Sequence, residues 1–141
     1  VMPIGHRFAA RARIRLADLA DEQWILGSAS GTCLDSRIAM RACGAAGFEP
    51  QLAFQSDDYN AIQGFVAAGV GVSLIPDLAL VNVRDDVVVR SLGARAPIRR
   101  IVAATMENSW CSPARAAMLE ILVAVGEEYA SGGRCEQAVA C

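Results

Sequence analysis

Apolar and polar positions recur along this chain with two periods, and each change of period marks an element. Residues 50–58, PQLAFQSDD, alternate: Leu52, Phe54 and Ser56 fall on one side and Ala53 and Gln55 on the other, the pattern of a strand. The next stretch, DDYNAIQGFVAAGVGVSLIP (57–76), shifts to helical spacing, with Ile62, Phe65 and Val66 as an i, i+3, i+4 stripe. Asp57 or Asp58 is placed to cap that helix by accepting from a free N–H of its first turn. Gly69 is expected to end it in a left-handed turn, and Gly64 with Ala67 and Ala68 to let it approach a neighbour closely. VGVSLI then runs as an apolar strand and stops at Pro76. A continuous apolar run fits a strand covered on both faces, as in a largely parallel sheet.

The flanking segments extend the pattern. RLADLADE (15–22) predicts one or two helical turns and QWILGS (23–28) a short strand. Residues 30–47 read as a loop and then a helix, with Thr32 as N-cap and Leu34, Ile38, Met40 and Arg41 giving a partial amphipathic pattern; Gly44 and Gly47 are expected to end it. Further on, a turn is expected at Arg84–Asp86, strands at 87–90 and 98–106, and a linker at GARAP. The segment 112–129 predicts a helix with Ser112 as N-cap, Pro113 at the first position and a buried stripe of Met118, Ile121, Leu122, Val125 and Tyr129. The tail 131–141 reads as disordered. The expected fold class is α/β: a mostly parallel sheet of about five strands with helices on both faces, centred on residues 23–92.

Composition sharpens this. A chain of 141 residues, 54% apolar and 20% charged, is globular and long enough for one core. No stretch reads as a membrane span, since Gly69 and Gly71 interrupt the nearest candidate, and the opening residues lack the order of a secretion signal. A cytoplasmic location and no membrane partner are expected. The net charge of −2 argues against a nucleic-acid-binding module. Arg7, Arg11, Arg13 and Arg15, followed by Asp18, Asp21 and Glu22, read as a solvated surface. The five cysteines show no C-x-x-C spacing and His6 stands far from them, so no metal site is expected and the thiols read as reduced.

No phosphate loop, dinucleotide fingerprint or nucleophile elbow is present, and no set of residues assembles into a catalytic site by spacing; the expectation is a non-enzyme without a cofactor. What remains is GSASGTC (27–33), a hydroxyl-rich loop between a strand and a helix, where N–H groups favour an anion. Ser56 and Asp57 end the next strand at the same edge if the two run parallel, the usual ligand edge of an open α/β sheet. The competing reading is that these hydroxyls only cap a helix. Asp57 would repel a carboxylate, so it is expected to cap or to accept from a ligand amine or hydroxyl.

IRLADLADEQWIL, the glycine-bearing loop and FQSDDYNAIQGFVAAGVGVSLIPDLAL together resemble the effector-binding domain of LysR-type transcriptional regulators, as does MPIGHRFAAR. The resemblance implies a fold of the periplasmic-binding-protein type (type 2), in which two subdomains close on a small effector and a separate helix-turn-helix binds DNA. It implies that residues 1–96 form the second subdomain with its crossover strand, and that 97–130 are a strand and helix belonging to the first. It places Ser28, Ser30, Gly31 and Thr32, Ser56 and Asp57, and Ile75 and Pro76 at the ligand edge. The implied role is to sense a small, anionic effector within a homo-oligomeric regulator, with DNA bound by other parts of that regulator. The alternative is the solute-binding domain of a transport system, which shares the fold.

Overall fold

The computed structural model describes residues 1–28, 34–106 and 112–131. It divides into two compact units, Val1–Arg99 and Arg100–Cys141. The first holds β1 (Met2–Pro3), β2 (Gln23–Leu26), α1 (Leu34–Ala45), β3 (Gln51–Gln55), α2 (Tyr59–Ala67) and β4 (Val87–Val88). Single turns of 3-10 helix lie at Leu16–Leu19, Asp77–Ala79 and Gly93–Arg95.

Two short ladders are joined through residues 72 and 73. β2 and β3 pair in parallel. On the other side of β2, Val72 N–H donates to Gln23 O (2.8 Å) and Ile25 N–H to Val72 O (2.9 Å), again in parallel register. Ser73 and Val1 then exchange two bonds, 3.0 and 2.7 Å, the antiparallel pattern. β1 pairs antiparallel with β4. The order is therefore β3, β2, 70–73, β1, β4. The half next to the expected ligand edge is parallel and the far half is antiparallel. The strand expected at 87–90 narrows to Val87–Val88.

Successive side chains of β2 point to opposite faces. Trp24 and Leu26 join Leu19, Ala39, Cys43 and Val72 in one core. Ile25 joins Ile62, Val66 and Val87 in the other. Helices α1 and α2 thus cover opposite faces, as expected. The alternation read in β3 is corrected. The register steps from Trp24↔Leu52 to Ile25↔Phe54, so Ala53 is an extra residue in a bulge. Leu52 lies opposite Trp24, whereas Phe54 lies opposite Ile25 and meets Phe65 of α2 at 4.1 Å between ring centroids.

Helix α1 buries a different face from the one its large residues suggest. Leu34, Met40 and Arg41 are exposed, while Ser36, Ala39 and Cys43 are buried. Small side chains at i, i+3 and i+7 leave room for Trp24, whose indole N–H donates to Leu19 O at 3.2 Å. Burial pushes the Cys43 thiol up to about 11. Gly44 stays inside the helix, and it is Gly47, at φ 90°, that turns the chain. Gly69, at φ 78°, ends α2 as expected. The close approach assigned to Gly64 is not there, since a Cβ would meet nothing within 4 Å. It occurs instead at Gly71, where a Cβ would overlap the Gln23 carbonyl, 2.8 Å from its carbon. Helix α2 also buries Gln63, whose amide donates to Asn82 O and accepts from Arg84 N–H, pinning residues 82–84.

The second unit holds α3 (Pro113–Ser131). Ser112 Oγ accepts from Arg115 N–H at 3.2 Å, the expected N-cap. Of the stripe expected to be buried, Met118, Ile121, Leu122 and Val125 are instead each half open to solvent or more, while Tyr129 is partly buried. No strand forms at 98–106, where Ile98, Ile101, Val102 and Met106 are exposed. An apolar run becomes a strand only where another strand satisfies its N–H and C=O groups. The tail beyond Ser131 lies outside the described residues.

Two measurements check this packing. Gly71→Ala should lower stability by about 1–3 kcal/mol, because backbone must move to admit the methyl. Gly64→Ala should raise it by about 0.5–1 kcal/mol, as an unobstructed helix-interior substitution. Urea midpoints moving the same way in both variants would contradict the assignment. Cys43 should resist iodoacetamide at neutral pH in the folded chain and react on unfolding, as read by peptide mass mapping; rapid labelling of the native chain would contradict its burial.

Candidate functional site

β2 and β3 run parallel and end at one edge. Ser56 N–H donates to Leu26 O at 3.0 Å, carrying the ladder one residue past β3. Beyond it, Asp57 Oδ1 accepts from Ser28 N–H at 2.7 Å, tying the two strand ends together through a side chain. The adjacent acids divide the work. Asp58 is the N-cap of α2, accepting from Asn60 N–H (2.7 Å) and Ala61 N–H (3.4 Å), while its own N–H donates to Ser56 Oγ at 3.3 Å. Asp57 is thereby left facing the edge, and its charge already takes up one of the N–H groups there.

A second connection joins the starts of the two helices. Tyr59 Oη, at the first position of α2, donates to Asp35 Oδ2 in the first turn of α1. Arg99 Nη1 donates to both oxygens of Asp35, at 2.6 and 2.7 Å. The Asp35 and Arg99 side chains are 15% and 32% exposed, so this pair is screened less than the surface pairs of the molecule. A carboxylate in the first turn also suits the positive end of the α1 dipole.

Between these two connections lies a cavity of about 10 Å³, lined among others by Gly27, Asp35, Ser36, Ser56, Asp57 and Ser73. An open groove of about 490 Å³ lies on the outer side of Asp57, bordered by Asp58, Asn60, Ala79 and Asn82. Among the described residues, the cavity lining carries two carboxylates and no cation. Among the described residues, no group of three or more His, Cys, Asp or Glu side chains is placed to hold a metal. No described helix is long and apolar enough to cross a membrane.

Of the residues expected at the site, Ser28, Ser56 and Asp57 come together at the edge. Ser30, Gly31 and Thr32 lie outside the described residues. Ile75 packs into the core on the α2 side, and Pro76 precedes the turn Asp77–Ala79. It is Ser73 and Leu74 that reach the cavity from that strand. Sequence reasoning missed Asp35, Ser36, Tyr59, Ser73 and Arg99. Asp35 and Ser36 could have been found from their place in the first turn after the loop, and Ser73 from its alternation with Val72. Nothing in the sequence joins Arg99 to Asp35 across 64 positions.

Comparison with known proteins agrees with this architecture. Residues 1–127 match the LysR substrate binding domain. The chain is similar to the transcriptional dual regulator GltC of Bacillus subtilis, 35% identical over 77 residues, covering 55% of this chain and 25% of that protein. It is similar to the DNA-binding transcriptional dual regulator OxyR of Escherichia coli, 36% identical over 75 residues, covering 53% of this chain and 24% of that protein. These matches span about a quarter of the length of each relative. Among solved structures, the C-terminal domain of a probable LysR family transcriptional regulator from Rhodococcus sp. RHA1 superposes with a TM-score of 0.55 at 28% identity, over 69% of this chain and 48% of that one. With the match extending over most of its length, the chain belongs to the LysR substrate binding domain family.

Proposed function

We propose that this chain is an effector-sensing regulatory domain of a LysR-type transcriptional regulator. The observation that carries the reading is the edge where β2 and β3 end in parallel, with Ser28 and Asp57 bonded across it and beneath it a cavity that Ser36, Ser56 and Asp57 help to line. In this reading residues 1–96 supply one lip of an effector cleft, and 97–130 belong with the opposite subdomain. Ser28, Ser30, Gly31, Thr32, Ser56 and Asp57 contact the effector, and Ile75 and Pro76 shape the strand end behind them. An anionic group meets the N–H groups of the 30–32 loop, while Asp57 accepts from a donor group of the same molecule. DNA is bound by a part of the regulator other than this domain, which acts in the cytoplasm and without chemistry of its own. The relatives are named as transcriptional regulators, which supports sensing over solute transport.

A thermal-shift screen of small carboxylic acids on this chain should yield a ligand whose affinity falls at least tenfold in a Ser30→Ala, Thr32→Val variant that folds normally. That loss corresponds to about 1.4 kcal/mol, the scale of one or two hydrogen bonds. Unchanged affinity would make the loop only a helix cap.

The exposed face of α3 supports association. Met118, Ile121, Leu122 and Val125 form an apolar surface that water disfavours. We expect the chain to self-associate through this helix, and light scattering should show dimers or larger species that Ile121→Glu, Val125→Glu disperses. A wild-type monomer at high concentration would count against it.

A further inference from the structure

Among the described residues, two buried side chains at the floor of the candidate site have no hydrogen-bond partner. Ser36, in the first turn of α1, and Ser73, in the row beside β2, are 6% and 3% exposed. Both hydroxyl oxygens are buried without a hydrogen bond, and both residues line the same cavity. The backbone of Ser73 is committed elsewhere, since it exchanges both of its bonds with Val1. Buried hydroxyls are nearly always satisfied in folded proteins, and two that open on one space point to a guest between them.

We propose that Ser36 and Ser73 form a subsite for a hydroxyl group of the effector, with Asp57 as its acceptor. Size, charge and bonding capacity each select that chemistry. The cavity, about 10 Å³, is the space of one water-sized group, too small for a carboxylate. Its lining carries Asp35 and Asp57, which disfavour an anion. Asp35 already accepts from Tyr59 and Arg99, so it contributes little to holding a cation. A hydroxyl donates one hydrogen and accepts up to two, while each serine does both and an ionised carboxylate only accepts. A guest hydroxyl that donates to Asp57 and accepts from Ser36 and Ser73 therefore leaves no group unpaired. The effector is then a small molecule that carries a hydroxyl as well as its anionic group. This deepens the proposed function and rests on it.

The test uses this chain and simple probes. Ethylene glycol, acetate and ethylammonium chloride are titrated into labelled protein, and the amide resonances of Gly27, Ser36 and Ser73 are followed. Ethylene glycol should shift these amides saturably. The Ser36→Ala, Ser73→Ala variant should weaken the effect at least tenfold. Single Ser→Cys variants, which keep the shape and weaken the hydrogen bond, should lie between and guard against a packing artefact. No saturable shift from ethylene glycol would overturn the proposal, as would equal binding in the double variant. Tighter binding of acetate or ethylammonium at these amides would also overturn it. The broader reading fails separately, through the carboxylic-acid screen and the 30–32 loop, neither of which uses ethylene glycol or these serines.

Discussion

Four backbone hydrogen bonds at Val72 and Ser73 hold the first unit together. On one side they extend the parallel ladder of β2 and β3; on the other they begin the antiparallel half that β1 and β4 complete. Without this row the two ladders are separate pairs of strands, each too small to be stable alone. The row fits because residue 71 is glycine and its backbone lies against the Gln23 carbonyl. The same row presents Val72 to the core on the α1 side and turns Ser73 toward the cavity. One close approach thus serves both the sheet and the floor of the site.

The parallel half of the sheet gives the site its geometry. Parallel neighbours end at a common edge and each feeds a helix, so two helix N-termini and two polar strand ends converge. Side chains then lock that edge. Asp57 reaches across to Ser28, and Tyr59 and Arg99 both hold Asp35. These contacts join segments far apart in the chain and leave a small cavity with two carboxylates among its lining residues.

Charge elsewhere is local and self-compensating. The arginine cluster near the start of the chain is answered by Asp18 and Glu22: Arg15 and Arg11 pair with Asp18, and Arg7 with Glu22. The Arg15 guanidinium holds the Asp18 carboxyl below its ordinary value. Both Arg7 and Arg11 also stack 4.5 Å from the Phe8 ring, which is nearly buried beneath them. The cluster expected to be a solvated surface covers a buried aromatic ring, and Arg7, Arg11 and Arg15 each pair with an acid.

The sequence by itself determined the elements whose signals are local. The helix of 59–67 follows from its apolar stripe and from Asp58, and its end from Gly69; the start of α3 follows from Ser112 and Pro113; β2 follows from a short apolar run and β3 from alternation. The family was also readable, because its pattern of cap, stripe, glycine and strand is contiguous. Tertiary structure decided everything that depends on a neighbour. It chose the small face of α1 because Trp24 fills the space there, and it moved Phe54 to the α2 side through the bulge at Ala53. It placed the close approach at Gly71 and not at Gly64, and it left 98–106 without a strand, since a strand needs a partner and a helix does not. The cavity belongs wholly to this second class. Ser36, Ser73 and Arg99 carry no local mark that joins them, and only packing brings the serines to one space and Arg99 to Asp35, because a cavity is a juxtaposition of distant residues.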